Sequence, residues 1–271
     1  MHPYDCIPFL CYVHHEMREK PGSRVSLRDL EAVDLQQCDD RTMLNQSDFF
    51  KHKPVICVFA KPPVAGQVKT RLIDTCGAEP SKQLAEAFLQ DTIDSLRQLE
   101  WAEVVIATTF PHGPQMETLA NGIEFVDQGD GDLGARIERV MALLLQRSPY
   151  VIAMGADTPG LPQDRLEAAR KLLTTHDSVI GPAEDGGFYL LGLKRCPSNL
   201  LRGLPWGAPE TYQRTTDRLR TRGFSFIALK PWFDVDRPED VKALFELIEK
   251  GVISAPASQR IIKRLALRGD V

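Results

Sequence analysis

The 271-residue chain is 43% hydrophobic and carries 33 Lys/Arg against 37 Asp/Glu, a formal net charge of −4. That content supplies one sizeable core, and the weakly acidic balance excludes a nucleic-acid binder, which needs a basic face. No apolar run approaches bilayer length and the N-terminus lacks a charged-then-apolar signal pattern, so a cytoplasmic protein with no membrane span is expected, its six cysteines as reduced thiols.

Residues 1–52 differ from the rest. They hold six Lys/Arg and nine Asp/Glu (−3), against 27 and 28 (−1) in the remaining 219, with four of the six His and three of the six Cys. Pro3, Pro8, Pro21 and Gly22 interrupt their periodicity. They are expected to form an extension outside the main fold, poorly ordered or loosely helical. Cys6, Cys11, His14 and His15 fit no familiar zinc spacing. Met43 is a candidate start of the native chain, which N-terminal sequencing would decide.

From residue 53 to about 250 strands and helices alternate. Val55–Ala60 is an apolar run closed by Pro and Gly, which reads as a central parallel strand. Ser81–Leu99 has Leu84, Phe88, Leu96 and Leu99 at helical spacing, with Ser81 as candidate N-cap. Two strands follow, Val104–Ala107 and Ile123–Val126. The helix Asp132–Arg147 places Ile137, Val140, Met141, Leu144 and Leu145 on one stripe. Tyr150–Met154 is another strand, and Pro162 opens a helix to about Leu173. Strands Ser178–Ile180 and Phe188–Leu193 flank Gly181–Gly187. A helix over about 209–221, the strand Phe224–Leu229 and a helix from Pro238 to about Lys250 complete the domain. Residues 251–271 read as a basic tail with a weakly amphipathic helix over 257–268. The alternation predicts a single three-layer α/β/α domain with a mainly parallel sheet.

Several strand-end loops carry polar residues that a packed core does not need. In Lys61–Arg71, Gly66 permits close backbone approach, and Lys61, Lys69 and Arg71 suit an anion, most naturally phosphate. The Walker spacing is missing. Asp157, after a buried strand, is either a ligand for Mg²⁺ or Mn²⁺ or a cap for the helix near Pro162. Glu184 and Asp185 precede Gly186 and Gly187, in what is either a plain hairpin turn or an acidic loop beside buried strands. Of Asp234 and Asp236, one is expected to cap the Pro238 helix, Asp236 more readily, leaving the other for a metal. Gly131, Leu133 and Gly134 at the start of the Asp132 helix suit a base, ribose or phosphate.

These residues also resemble a family. The order Ala-Lys-x-Pro-x-x-Gly-x-Val-Lys-Thr-Arg-Leu, Gly-Asp-Leu-Gly-x-Arg, Gly-Ala-Asp-x-Pro, Gly-Pro-x-x-Asp-Gly-Gly-Phe-Tyr-Leu-Leu-Gly-Leu and Asp-Val-Asp, between about Pro54 and Lys250, is similar to the glycosyltransferase-like family related to the 2-phospholactate guanylyltransferases. The resemblance implies the nucleotide-diphospho-sugar transferase (type A glycosyltransferase) fold. It implies Lys69 and Arg71 on nucleotide phosphates, Asp157 and Asp236 as metal ligands, and Glu184, Asp185, Gly186, Gly187 and Trp206 toward a small-molecule acceptor. Arg237 stands where relatives often have Thr, and residues 1–52 have no counterpart.

Two chemistries fit a nucleotide partner, an NTP or a nucleotide-sugar. In nucleotidyl transfer an ionised acceptor phosphate needs cations and a metal more than a base. His112 and His176 both lie outside the candidate loops. In glycosyl transfer Asp185 or Glu184 serves as base. The single Asp157, where many glycosyltransferases carry Asp-x-Asp, tilts the expectation slightly to nucleotidyl transfer. On either chemistry Lys69, Arg71, Asp157 and Asp185 are the candidate catalytic residues. A non-catalytic nucleotide-binding module is the third hypothesis.

Overall fold

A computed structural model describes residues 53–267. The extension expected over residues 1–52, with its Cys6, Cys11, His14 and His15 group, lies outside the described residues. One seven-stranded sheet contains β1 (Val55–Phe59), β2 (Glu103–Thr108), β3 (Glu124–Asp127), β4 (Val151–Gly155), β5 (Ser178–Pro182), β6 (Phe188–Leu193) and β7 (Phe226–Ala228), in the order β3-β2-β1-β4-β6-β5-β7. Neighbours pair parallel except β6, which runs antiparallel to β4 and β5. The three-layer expectation is therefore met, with β1 between two parallel partners.

Side-chain alternation along β1 explains the layers. Ile56 and Val58 join Leu89 and Ile93 of α2 (Ala78–Leu96), Met116 of α3 (Gly113–Leu119) and Leu166 of α5 (Gln163–Thr175). Val55 and Cys57 face the other way, toward Ile137, Val140 and Met141 of α4 (Leu133–Leu144) and Leu219 of α6 (Thr211–Thr221). Burial pushes the Cys57 thiol up to about 12, so it is an inert core residue.

Several local expectations need correction. Ser81 does not cap α2. The helix starts three residues earlier after Gly77, and Ser81 is buried within it, its hydroxyl donating to the Gly77 carbonyl at 2.7 Å. Pro162 is the N-cap residue of α5 rather than its first turn. The short helices Thr70–Leu72 (3₁₀) and α1 (Ile73–Cys76), and α3, were missed. Asp132 caps α4, accepting from the Ala135 N–H at 2.7 Å.

Beyond α7 (Pro238–Glu249), α8 (Pro256–Ala266) is more amphipathic than the sequence suggested. Its Ile262 and Leu265 form a third cluster with Leu84 and Phe88 of α2 and Val241 and Leu244 of α7. Its N-cap residue Ala255 offers no side-chain bond. Asp91 of α2, itself buried, supplies the cap across space. It accepts from Ala257 N at 2.8 Å, Ser258 N at 2.7 Å and Ser258 Oγ at 2.5 Å. Asp91→Ala strips a helix N-terminus of its acceptor and is expected to cost about 2 kcal/mol in urea unfolding. A loss under a few tenths would mean water replaces the cap.

Candidate active site

The sheet order reverses between β1 and β4, since β2 lies on one side of β1 and β4 on the other. Loops leaving the carboxyl ends of these two strands diverge and open a crevice. A cleft of about 710 Å³ sits there, lined from both sides by Lys69, Arg71, Asp157, Asp185, Asp234 and Asp236 among others.

Lys69 is its centre. The side chain is 4% exposed, and Nζ lies 2.5 Å from Asp157 Oδ1, 2.9 Å from Asp236 Oδ1 and 2.8 Å from the Val235 carbonyl. Its backbone is left-handed, φ 46° and ψ 44°, a conformation that costs a non-glycine residue about 1–2 kcal/mol. Burial pulls the ammonium's pKa down, but the charges of Asp157 and Asp236 outweigh it and leave the pKa above the ordinary lysine value. Three acceptors use all three of its protons, so Lys69 contributes charge more than spare hydrogen bonds. Arg71, more exposed, reaches Asp236 Oδ2 at 3.2 Å. The Val235 N–H donates to the Asp157 carbonyl at 2.8 Å, tying the two acidic loops together.

Neither Asp236 nor Asp234 caps α7. Asp240 does that work, accepting from the Asp236 N–H (3.0 Å) and Arg237 N–H (2.8 Å). Asp157 does not cap α5, which has no side-chain cap bond. Burial works to raise the Asp236 pKa, yet Lys69 and then Arg71 hold it below the ordinary value. The residue pattern left Asp234 as the acid open to a metal, whereas the resemblance implied Asp236 alone; both line the cleft. Burial first, then the charges of Asp157, Asp185 and Asp236, push the Asp234 pKa from 3.8 up to about 7. The sequence held the signal for both: in extended Asp-Val-Asp, positions i and i+2 share a face, and here Val235 is buried on the opposite one.

The sign of the pH effect follows. Between 3.8 and about 7 the folded state holds the Asp234 proton more tightly than the unfolded chain, so stability falls as pH rises. Asp234→Asn removes the buried charge. With solvent screening allowed for, it is expected to stabilise the metal-free protein by about 1–2 kcal/mol near pH 8 and far less near pH 4.5. Thermal denaturation in chelator at both values measures this, and a pH-independent difference would contradict the assignment.

The remaining predicted residues divide. Lys61, Gly131, Leu133, Gly187 and Trp206 also line the cleft. Gly66 sits on a turn outside it, at φ 83° with open space around its Cβ position. Gly134 does not line it and lies against the Leu201 carbonyl and Trp206. Gly186, φ 90°, packs on Pro209, whose oxygen is 2.2 Å from where a Cβ would stand, and so seats the β5–β6 turn. Glu184 is exposed, its N–H bonded to the Trp232 carbonyl at 3.1 Å. Asp185 Oδ1 accepts from the Gly187 N–H at 2.9 Å.

Among the described residues no three His, Cys, Asp or Glu side chains form a ready metal cage. The donor set nonetheless suits a hard cation. Mg²⁺ and Mn²⁺ take one or two carboxylates plus substrate phosphates. Lys61, Lys69, Arg71 and Arg136 line the cleft with four aspartates, but among the described residues only Lys69 and Arg71 pair with any of the four, and burial together with the neighbouring carboxylates raises the Asp234 pKa.

Sheet order and cleft define an α/β fold of the nucleotide-diphospho-sugar transferase type. Among solved structures, the chain is similar to a "putative nucleotide-diphospho-sugar transferase" from Desulfovibrio desulfuricans G20, with 28% identity and a TM-score of 0.73 over 79% of this chain and 95% of that one. In fold it is also similar to 4-diphosphocytidyl-2C-methyl-D-erythritol synthase from Anaerococcus prevotii DSM 20548 (10% identity, TM-score 0.52, 75% of this chain and 99% of that). CMP:2-keto-3-deoxy-manno-octonic acid synthetase complexed with CTP is a further match (16%, 0.50, 73% and 99%). Residues 92–208 match the family described as "Uncharacterized protein conserved in bacteria (DUF2064)". No curated protein matches. The fold implied by the motifs is the fold observed, and among the described residues no helix is long and apolar enough to cross a membrane.

Proposed function

We propose that the chain is a metal-dependent transferase with a nucleotide-activated donor, and that it moves a glycosyl group from a nucleotide-sugar to an uncharged hydroxyl acceptor. One observation carries the choice of acceptor. Every Lys or Arg lining the cleft, Lys61, Lys69, Arg71 and Arg136, comes from the β1 loop or α4. The opposite wall, from the β5–β6 turn to α6, supplies Asp185, Phe188, Tyr189, Trp206 and Thr211 and no cation. A phosphorylated acceptor on that wall would meet Asp185 and no cation. A sugar-like hydroxyl compound would meet an aromatic surface and a carboxylate.

On this reading Lys69 and Arg71 supply positive potential where the donor diphosphate gathers charge. Asp185 takes the acceptor's hydroxyl proton as its oxygen bonds to the anomeric carbon and nucleoside diphosphate leaves. Asp157 and Asp236 would hold Mg²⁺ or Mn²⁺, whose charge offsets that of the diphosphate. Asp185→Asn is expected to lower kcat about 10²-fold with donor binding unchanged.

Nucleotidyl transfer is the second reading, favoured by the single Asp157 in place of an Asp-x-Asp pair. Incubation with nucleotide-sugars and, separately, with nucleoside triphosphates, each with Mn²⁺ and hydroxyl or phosphorylated acceptors, separates them. Acceptor-dependent nucleoside diphosphate release supports the first reading. Pyrophosphate release with phosphorylated acceptors replaces it with the second, and metal-dependent nucleotide binding without either product leaves a binding module.

A further inference from the structure

A second depression, of about 980 Å³, opens between α6 and the loop Asn199–Pro205. Arginines dominate its lining, Arg202, Arg214, Arg218 and Arg222, against the acids Glu210 and Asp217. Arg214, Arg218 and Arg222 stand at i, i+4 and i+8 on one helix face, where like charges oppose helix formation.

Three of these six charges have structural work, and one of them is Arg202, whose Nε lies 3.7 Å from Glu138 Oε1. Arg218 donates to the Arg202 carbonyl at 2.5 Å and holds the loop against α6. Asp217 is engaged by Arg220 at 2.8 Å and Gln213 at 3.0 Å, neither of which lines the depression. Arg214 and Arg222 have none: among the described residues neither makes an ion pair or a side-chain hydrogen bond. Arg222, the C-cap residue, gains from the helix dipole, but Arg214 lies in the first turn of α6, where a cation is disfavoured. Glu210, four residues before Arg214, offsets part of this charge, but four arginines against two acids leave an excess of positive charge at the depression, in a chain of net charge −4, that suits an anion.

We infer that this depression binds a small phosphorylated ligand, separately from the cleft. Guanidinium forks match phosphate oxygens in pairs, which lysines would not. The flanking acids Glu210 and Asp217 restrict the positive field to a small area. A nucleic acid would need a broad basic face, which an acidic chain lacks.

Titration calorimetry of the full chain in chelator, with inorganic pyrophosphate as probe at fixed ionic strength, tests this. Saturable binding is expected, weakened about tenfold or more in Arg214→Gln/Arg222→Gln and changed less than about twofold in the cleft variant Arg71→Gln. Arg214→Lys/Arg222→Lys keeps the charge without the fork and should fall between, which guards against a misfolded Gln variant. The inference is overturned if the wild type shows no saturable binding, or if Arg71→Gln loses it while the double variant keeps it. Tighter binding of a single-stranded oligonucleotide through the same arginines would equally replace it with a macromolecular partner.

Discussion

Lys69→Ala is expected to lower both stability and turnover more than any other substitution of a charged cleft residue. It leaves Asp157 and Asp236 facing each other beside Asp234 with no ammonium between them, and it releases the Val235 carbonyl. Breaking a fully buried pair costs about 3–5 kcal/mol. Here Lys69 is 4% exposed, but its partners are 52% and 38% exposed, so solvent screening reduces the loss to about 2–3 kcal/mol. Turnover should fall about 10³-fold, as for removal of a group that stabilises developing charge. The variant also tests the metal seat. With the ammonium gone, both carboxylates are open to a cation, so Mn²⁺ should raise the variant's melting temperature by several degrees more than the wild type's. Equal shifts in both proteins would mean that Asp157 and Asp236 do not hold the ion.

How far the site could be read from the chain depended on range. Val55–Phe59 and Val151–Gly155 were legible because a strand covered on both faces leaves a short, unbroken apolar run. The start of α4 was legible because its apolar stripe follows Asp132 directly, and the structure adds that Asp132 caps the helix by accepting from an N–H three residues on. Those loops were therefore placed at strand ends before any contact was known. The ion pairs of Lys69 were not legible, since they join positions 88 and 167 residues apart and nothing local marks them. Asp91 was invisible for the same reason, because it caps a helix that starts 165 residues later. The α7 cap was misread because Asp236 stands where a capping acid is usual, while Asp240 reaches back instead. The helix α3 went unread because its only buried side chain is Met116, too little for a periodicity.

Gly134→Ala separates a packing glycine from a nucleotide-contacting one. At an exposed helix position the change gains about 1 kcal/mol from propensity alone. Here the new Cβ would lie 2.1 Å from the Leu201 oxygen, 2.6 Å from its carbonyl carbon and 2.8 Å from Trp206 Nε1. The loop cannot retreat cheaply. Glu138 accepts from the N–H groups of Asn199 (2.7 Å) and Leu201 (3.1 Å), and Asp132 accepts from that of Gly203 at 3.2 Å. Overpacking and lost hydrogen bonds outweigh propensity, and the net expectation is a loss of about 2–4 kcal/mol in urea unfolding. The displaced element carries Trp206, on the wall assigned to the acceptor. The acceptor KM should therefore rise about tenfold while donor affinity, measured separately by calorimetry, changes less than about twofold. The opposite pattern, donor affinity lost with stability intact, would return Gly134 to the nucleotide and move the acceptor wall elsewhere.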